Sequence, residues 1–294
     1  MQNYAEYVEQ IAALTAAAAR LPLGQPTPTR DAPAPAPQAP LALLFSPHPD
    51  DECITGLLPL RLMREAGWRI MNVPVTYGSL LPRRAERHAE LAHACNHLGW
   101  QWLERTTDKG NFACQSTFDP NHTIEASQLE PLTSADIIAI LQQFPPDAIF
   151  LPHDADWNAR HISTHNLVIE ALQELGPDFQ TIVVETEFWG AMSDPNFMVE
   201  GNARQVTDLV TATACHVKEV ARNPYHILLP AWMLDNVRRG GELVGGQGQA
   251  APNFTFATLY RVRRWQQGHL QPLATLSRFC AVNSIGGPLS SFFL

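Results

Sequence analysis

The run Leu41-Ala42-Leu43-Leu44-Phe45-Ser46 passes directly into Pro47-His48-Pro49-Asp50-Asp51-Glu52. A strand buried on both faces is apolar along its length, but one imidazole and three carboxylates at its end must be solvated, paired or bound to a metal. We read metal. A second polar cluster follows the apolar stretch 147–152: His153, Asp154, Asp156, Trp157, Asn158, Arg160 and His161, with His165 beyond. In a doubly wound sheet ligands sit outside the carboxyl ends of the strands, so the two clusters should meet in space. Two imidazoles and a carboxylate drawn from both would make a three-ligand zinc site with a fourth position open to water. The neighbouring acids then divide the work. Asp51 ligates the ion, and Asp50 accepts a proton from water whose pKa zinc lowers to ~7, which aims a hydroxide at a carbonyl.

An alternation of strands and helices has to position these groups. The pattern predicts a strand at 41–46, a helix near Gly56–Ala66, a strand at Arg69–Tyr77 and a helix at about Arg84–Leu98 that stops at Gly99. Residues 105–134 read as a loop insertion over one end of the sheet. A helix at Ala135–Gln143, a strand at Asp147–Pro152, a helix at Thr164–Leu175, a strand at Thr181–Phe188 and a helix at Asp208–Asn223 follow. A Gly-rich tract, Gly240–Gly248, precedes an alternating run, Phe254–Val262, that suggests a terminal strand or hairpin. The fold class implied is α/β: a mostly parallel, Rossmann-like sheet with helices on both faces. Ahead of it, Tyr4–Arg20 has helix-forming composition and Leu21–Pro40 is Pro-rich. The expected division is therefore 1–40 as helix and linker, and 41–294 as the main domain with an extension after about 225.

The composition narrows the partners. The chain has 294 residues, 45% of them apolar, and a formal charge of −9. Such a balance, without a concentrated basic surface, argues against nucleic acid and anionic membrane and favours a small ligand. The five cysteines, Cys53, Cys95, Cys114, Cys215 and Cys280, are odd in number and widely spaced. They read as reduced thiols of a cytoplasmic protein. No stretch approaches the ~20 apolar residues of a membrane span, and the Ala-rich segment 11–19 follows Glu6 and Glu9 rather than the basic start of an export signal.

With its intact His48-Pro49-Asp50-Asp51-Glu52 string, the chain resembles the zinc-dependent N-deacetylases related to GlcNAc-phosphatidylinositol de-N-acetylase, the PIG-L or LmbE-like family. The resemblance puts metal ligation on His48 and Asp51 and the general base on Asp50. Arg87-His88-Ala89-Glu90-Leu91, running to Leu98-Gly99, looks like the family's Arg-x-x-Glu helix, so Arg87 inherits contact with substrate. The family's second hallmark, an Asp followed by His-Pro-Asp-His, is only partly kept. Aligning on Asp156 gives His161 as third ligand, ahead of His165. It places Asn158 where the family has a histidine that stabilises the oxyanion or protonates the leaving amine, and Arg160 where it has the supporting aspartate. Asn158 can donate a hydrogen bond to an oxyanion but cannot shuttle a proton; His153 or His165 would have to.

The resemblance covers about residues 41–225. It implies one Zn²⁺ per chain, another divalent ion being acceptable to such ligands. It also implies removal of an acetyl group from an N-acetylglucosamine-type sugar or related small amide, and a homo-oligomer is left open. The competing reading is a metal-dependent carbohydrate-binding or sensory protein that lost turnover with the changes at Asn158 and Arg160. Individual residues carry plainer alternatives. Glu52 suits a helix start, Asn158 a helix cap, and Arg87 an ion pair with Glu90. Trp157, Trp189 and Trp232 suit either a sugar-stacking wall or the core. His88, His93, His97 and His216 read as surface or supporting residues, and the glycines at 240, 241, 245 and 246 only weakly suggest phosphate binding.

Overall fold

Every residue of strand β1 (Leu41–Ser46) is buried, and parallel strands flank it on both sides: β2 (Arg69–Pro74), in register Leu41 to Arg69, and β5 (Ala148–Pro152), in register Ala42 to Ala148. The computed structural model describes residues 3–24, 35–54, 56–108, 110–273, 278–287 and 289. Within them the remaining strands are β3 (Gln101–Arg105), β4 (Phe112–Gln115), β6 (Thr181–Thr186), β7 (Phe197–Gly201), β8 (Phe256–Gln266), β9 (His269–Pro272) and β10 (Phe279–Cys280). They form one sheet in the order β10-β7-β8-β6-β5-β1-β2-β3-β4, with β9 on β8. Its centre, β3-β2-β1-β5-β6, is parallel; β4 and β8 run antiparallel to their neighbours.

The described helices are α1 (Tyr4–Ala18), α2 (Asp51–Ile54), α3 (Leu57–Ala66), α4 (Arg84–Leu98), α5 (Ser134–Gln143), α6 (Ala159–Glu174), α7 (Ala203–Thr213), α8 (Val217–Arg222) and α9 (Tyr225–Leu243). Successive strand residues point to opposite faces, so an unbroken apolar strand feeds two cores at once. Ala42, Leu44, Ile70 and Phe150 pack with residues of α3, α4, α7 and α9. Leu43, Phe45, Val73 and Ile149 pack with α5 and α6 on the other face. The α/β sandwich expected from the alternation is thus present, and none of the described helices is long and apolar enough to cross a membrane.

Several elements differ from the sequence expectation for identifiable reasons. The helix expected from Thr164 starts at Ala159, because the Asn158 side chain caps it by accepting the Arg160 N–H at 2.9 Å. The helix expected over 208–223 is two: at His216 the backbone leaves helical geometry, and its ring turns inward to bond Glu52. The insertion 105–134 contains β4 and a short 3₁₀ turn at Ala126–Leu129. Gly240 and Gly241 end α9 rather than cradling a phosphate; a Cβ on Gly240 would fall 2.8 Å from Leu259 on β8, so glycine permits the close approach of helix to sheet. The alternating run is an interior strand, since β8 joins β6 to β7. Helix α1 forms as expected but buries no residue, and residues 25–34 of the Pro-rich linker lie outside the described residues. All five cysteines are free thiols.

Candidate active site

β1 and β5 are neighbours, and the chain continues from β1 to β2 on one side and reaches β5 on the other. The gap beyond their carboxyl ends is therefore the switch point where an open sheet leaves room for a ligand. The turn after β1 is strained there: Asp50, not a glycine, has φ 117. Its N–H donates to Glu52 Oε2 at 2.8 Å, and Glu52, wholly buried, faces the Nε2 of buried His216 at 2.7 Å through its other oxygen. Glu52 thus fixes the backbone of the turn in addition to starting a helix.

Asp51 opens α2. Its Oδ2 accepts the His48 N–H at 2.9 Å and lies 3.3 Å from both His48 Nδ1 and His161 Nε2. His161 arrives from the first turn of α6, with its Nδ1 3.6 Å from Asp156 Oδ2. Asp156 is itself pinned, accepting N–H groups from Asn158, Trp189 and Gly190. Ligand atoms of His48, Asp51 and His161 all lie within 4.8 Å of one another. The fit to a cation is carried by His161, which is fully buried with neither ring nitrogen in hydrogen-bond geometry and a carboxylate facing each. Burial opposes a charge there, but Asp51 and then Asp156 outweigh it and push the imidazole up to about 10. Burial would likewise raise Asp51, yet His161 and His48 hold it far below the usual carboxylate range. Two imidazoles and one carboxylate are a donor set suited to zinc and related ions.

Asp50 stands beside this group. Burial, reinforced by the charge of Asp51, pushes it up to about 7 against the opposing pull of His216, Arg87 and Tyr225. The Tyr225 hydroxyl, at the start of α9, donates to Oδ2. Arg87 Nη2 lies 3.7 Å from Oδ1 and donates to the Pro49 carbonyl at 2.7 Å. Its path requires glycine at 78, where φ is +87 and a Cβ would fall 2.5 Å from Nη1. Arg87 does not take Glu90, which pairs with Arg83 at 3.3 Å. Nothing in the local sequence marks Tyr225 or His216, which reach the turn from the far end of the chain.

The other expectations separate. His153 is committed through both nitrogens, to the Gly190 carbonyl at 2.9 Å and the Ala155 N–H at 3.3 Å. His165 faces the Pro152 carbonyl through Nδ1 at 2.9 Å and is not among the converging ligand atoms. Asn158 uses its oxygen as the cap of α6 yet lines the cavity. That cavity, about 400 Å³, is walled by His48, Asp50, Arg87, Trp157, Asn158 and Trp189. An adjoining lobe of about 280 Å³ shares His48 and Arg87 and reaches Tyr77 and Lys218. Trp157 is exposed at the mouth, whereas Trp232 packs against the core. His88, His97 and His216, expected at the surface or in support, are buried, because each meets or lies near a buried carboxylate.

The fold has solved counterparts. It is similar to N,N'-diacetylchitobiose deacetylase from Pyrococcus horikoshii at a TM-score of 0.51 and 15% identity, over 93% of this chain and 99% of that one. A conserved protein from Thermus thermophilus is similar at a TM-score of 0.52 and 15% identity, over 82% and 97% of the two chains. No curated protein matches the sequence. Residues 43–172, which carry most of β1, the His48–Glu52 turn, α4 and most of α6, match the PIG-L family model, described as GlcNAc-PI de-N-acetylase.

Proposed function

We propose that the chain hydrolyses the N-acetyl amide of an N-acetylglucosamine-type sugar or a related small amide. The observation that carries this reading is the convergence of His48, Asp51 and His161, with His48 and the neighbouring Asp50 lining a cavity. Those three residues would hold one divalent ion, zinc in our reading, which when bound supplies Lewis-acid activation of water and carbonyl. The remaining work falls to side chains. Asp50 takes the proton of the attacking water, its carboxylate oriented by the Tyr225 hydroxyl and by Arg87. The hydroxide adds to the acetyl carbon, and the amide of Asn158, whose oxygen is occupied by the helix cap, offers its N–H to the oxyanion. Collapse breaks the C–N bond. Since both nitrogens of His153 are engaged, Asp50 itself returns the proton to the leaving nitrogen, giving acetate and a free amine. The exposed face of Trp157 with Trp189 offers an apolar wall for a sugar ring, and Arg87 a donor to its polar edge.

One observation favours a second reading: no histidine stands at Asn158, so the chain would bind rather than turn over an N-acetyl sugar. Incubating purified, zinc-loaded protein with a panel of N-acetyl sugars and measuring acetate decides between them. Release of acetate that Asp50→Asn abolishes supports hydrolysis. Saturable sugar binding with no acetate from any member of the panel supports the second reading.

A further inference from the structure

We propose that His88, Glu104 and His122 form a second divalent-metal site, distinct from the His48–Asp51–His161 group and independent of the function assigned to it. The three residues come from α4, β3 and the irregular segment 116–125. His88 Nε2 lies 2.8 Å from Glu104 Oε1, His122 Nε2 lies 3.1 Å from Oε2, and the three ligand atoms fall within 4.8 Å of one another. Each carboxylate oxygen also accepts one fixed N–H donor, Trp102 Nε1 at 2.9 Å on Oε1 and Gln115 Nε2 at 3.2 Å on Oε2. A ligating carboxylate held by outer donors is the arrangement that orients metal ligands in proteins.

His88 and Glu104 are almost wholly buried, whereas His122 is exposed. A cavity of about 240 Å³ beside them, lined also by Thr117 and Asp119, gives an ion an entry path and room for a water ligand. Two imidazoles and one carboxylate with open positions suit Zn²⁺ or another late first-row ion. Both histidines would bind as neutral rings through Nε2, with the ring proton on Nδ1. Glu104 would exchange its two imidazole contacts for the ion while keeping Trp102 and Gln115. The ion would tie segment 116–125 to α4, whose Arg87, one residue before His88, faces the candidate active site.

The test strips the full-length chain of metal and titrates it with Zn²⁺ against a chromophoric chelator. Wild type should take two equivalents, and His161→Ala should keep one. His122→Ala, a change at an exposed position that the fold should tolerate, should weaken the other on the order of tenfold or more, as should Glu104→Gln. A single wild-type equivalent that His161→Ala abolishes overturns this site and leaves the first intact. A single equivalent that His122→Ala abolishes does the reverse. Two equivalents that neither His122→Ala nor Glu104→Gln disturbs overturn it as well.

Discussion

The two oxygens of Asp50 meet different partners, the Tyr225 hydroxyl on one and Arg87 on the other, so the carboxylate is held at both ends before any substrate enters. Asp50→Asn keeps that shape and removes the base. We expect kcat to fall on the order of 10²–10⁴-fold while zinc content, measured on the same preparation, is unchanged; an equal loss of metal would instead make Asp50 a ligand. A subtler change is Gly78→Ala. The added Cβ would meet Arg87 Nη1 at 2.5 Å, and φ is +87 there, so the loop and the guanidinium must both shift. If Arg87 touches substrate, KM should rise several-fold more than kcat falls. His48, Asp50 and Asp51 were legible because they fall within four residues just beyond an apolar strand. Tyr225 and His216 were not: they lie 175 and 164 residues from the groups they bond and sit on no pattern. The packing of α7 against α2 and the chain reversals that lead into α8 and α9 bring them in.

Helix α6 carries a cap and a proposed donor on one residue, and the two roles can be parted. Asn158→Asp retains an oxygen to accept the Arg160 N–H, so thermal stability should hold, whereas Asn158→Ala should cost about 1 kcal/mol. If the amide N–H serves the oxyanion, Asn158→Asp should lower kcat on the order of 10²–10³-fold at unchanged melting temperature. Unchanged turnover would reduce Asn158 to a cap. Sequence spacing placed the start of α6 five residues late because the polar stretch Ala159–Ser163 reads as loop until Asn158 is recognised as its cap. At α5 the Thr133–Asp136 capping box was likewise silent in sequence, yet Asp136 also takes Arg105 at 2.7 Å and 3.1 Å. Burial opposes its charge, but Arg105 and Thr133 win and lower its pKa. A carboxylate depressed on folding contributes stability that is present above the unfolded pKa of ~3.9 and is lost as pH falls through the lower folded value. The stability difference between wild type and Asp136→Asn in urea melts should therefore be constant above about pH 5 and shrink as the solution is acidified further.

Over the whole chain, the part that sequence resemblance left aside is structurally central, and the part that looked like a helical module is peripheral. Strand β8 is hydrogen-bonded on both sides, to β6 over Thr181–Thr186 and to β7 over Phe197–Gly201. Its alternation looked like that of an appended hairpin because the middle of one face meets buried charge: Arg261 and Arg263 both close on buried Glu185, while Leu259 and Trp265 on the same face enter apolar clusters. Arg61, wholly buried in α3, donates to the carbonyls of Glu200, Cys280 and Ala281 and pairs with Glu65, tying the last described strand to the helix behind the Asp51 turn. α1, by contrast, buries nothing. Two truncations should therefore behave oppositely. A chain ending at Asn223 loses β8, the Tyr225 contact to Asp50 and the Cys280 and Ala281 carbonyls that Arg61 donates to; exposing β6 and β7 as open edges leaves unpaired backbone that favours aggregation, so we expect no cooperative unfolding transition and no zinc retained. A chain lacking residues 1–24 gives up little more than exposed surface and the Gly24 N–H bond to the Ala214 carbonyl at 3.0 Å, so its melting temperature by circular dichroism should stay within about 2–4 °C of wild type, the shift that ~1 kcal/mol produces in a large domain. A cooperative, zinc-binding protein ending at Asn223 would show that the sheet closes without β8, and residues 1–223 would then be a folding unit by themselves.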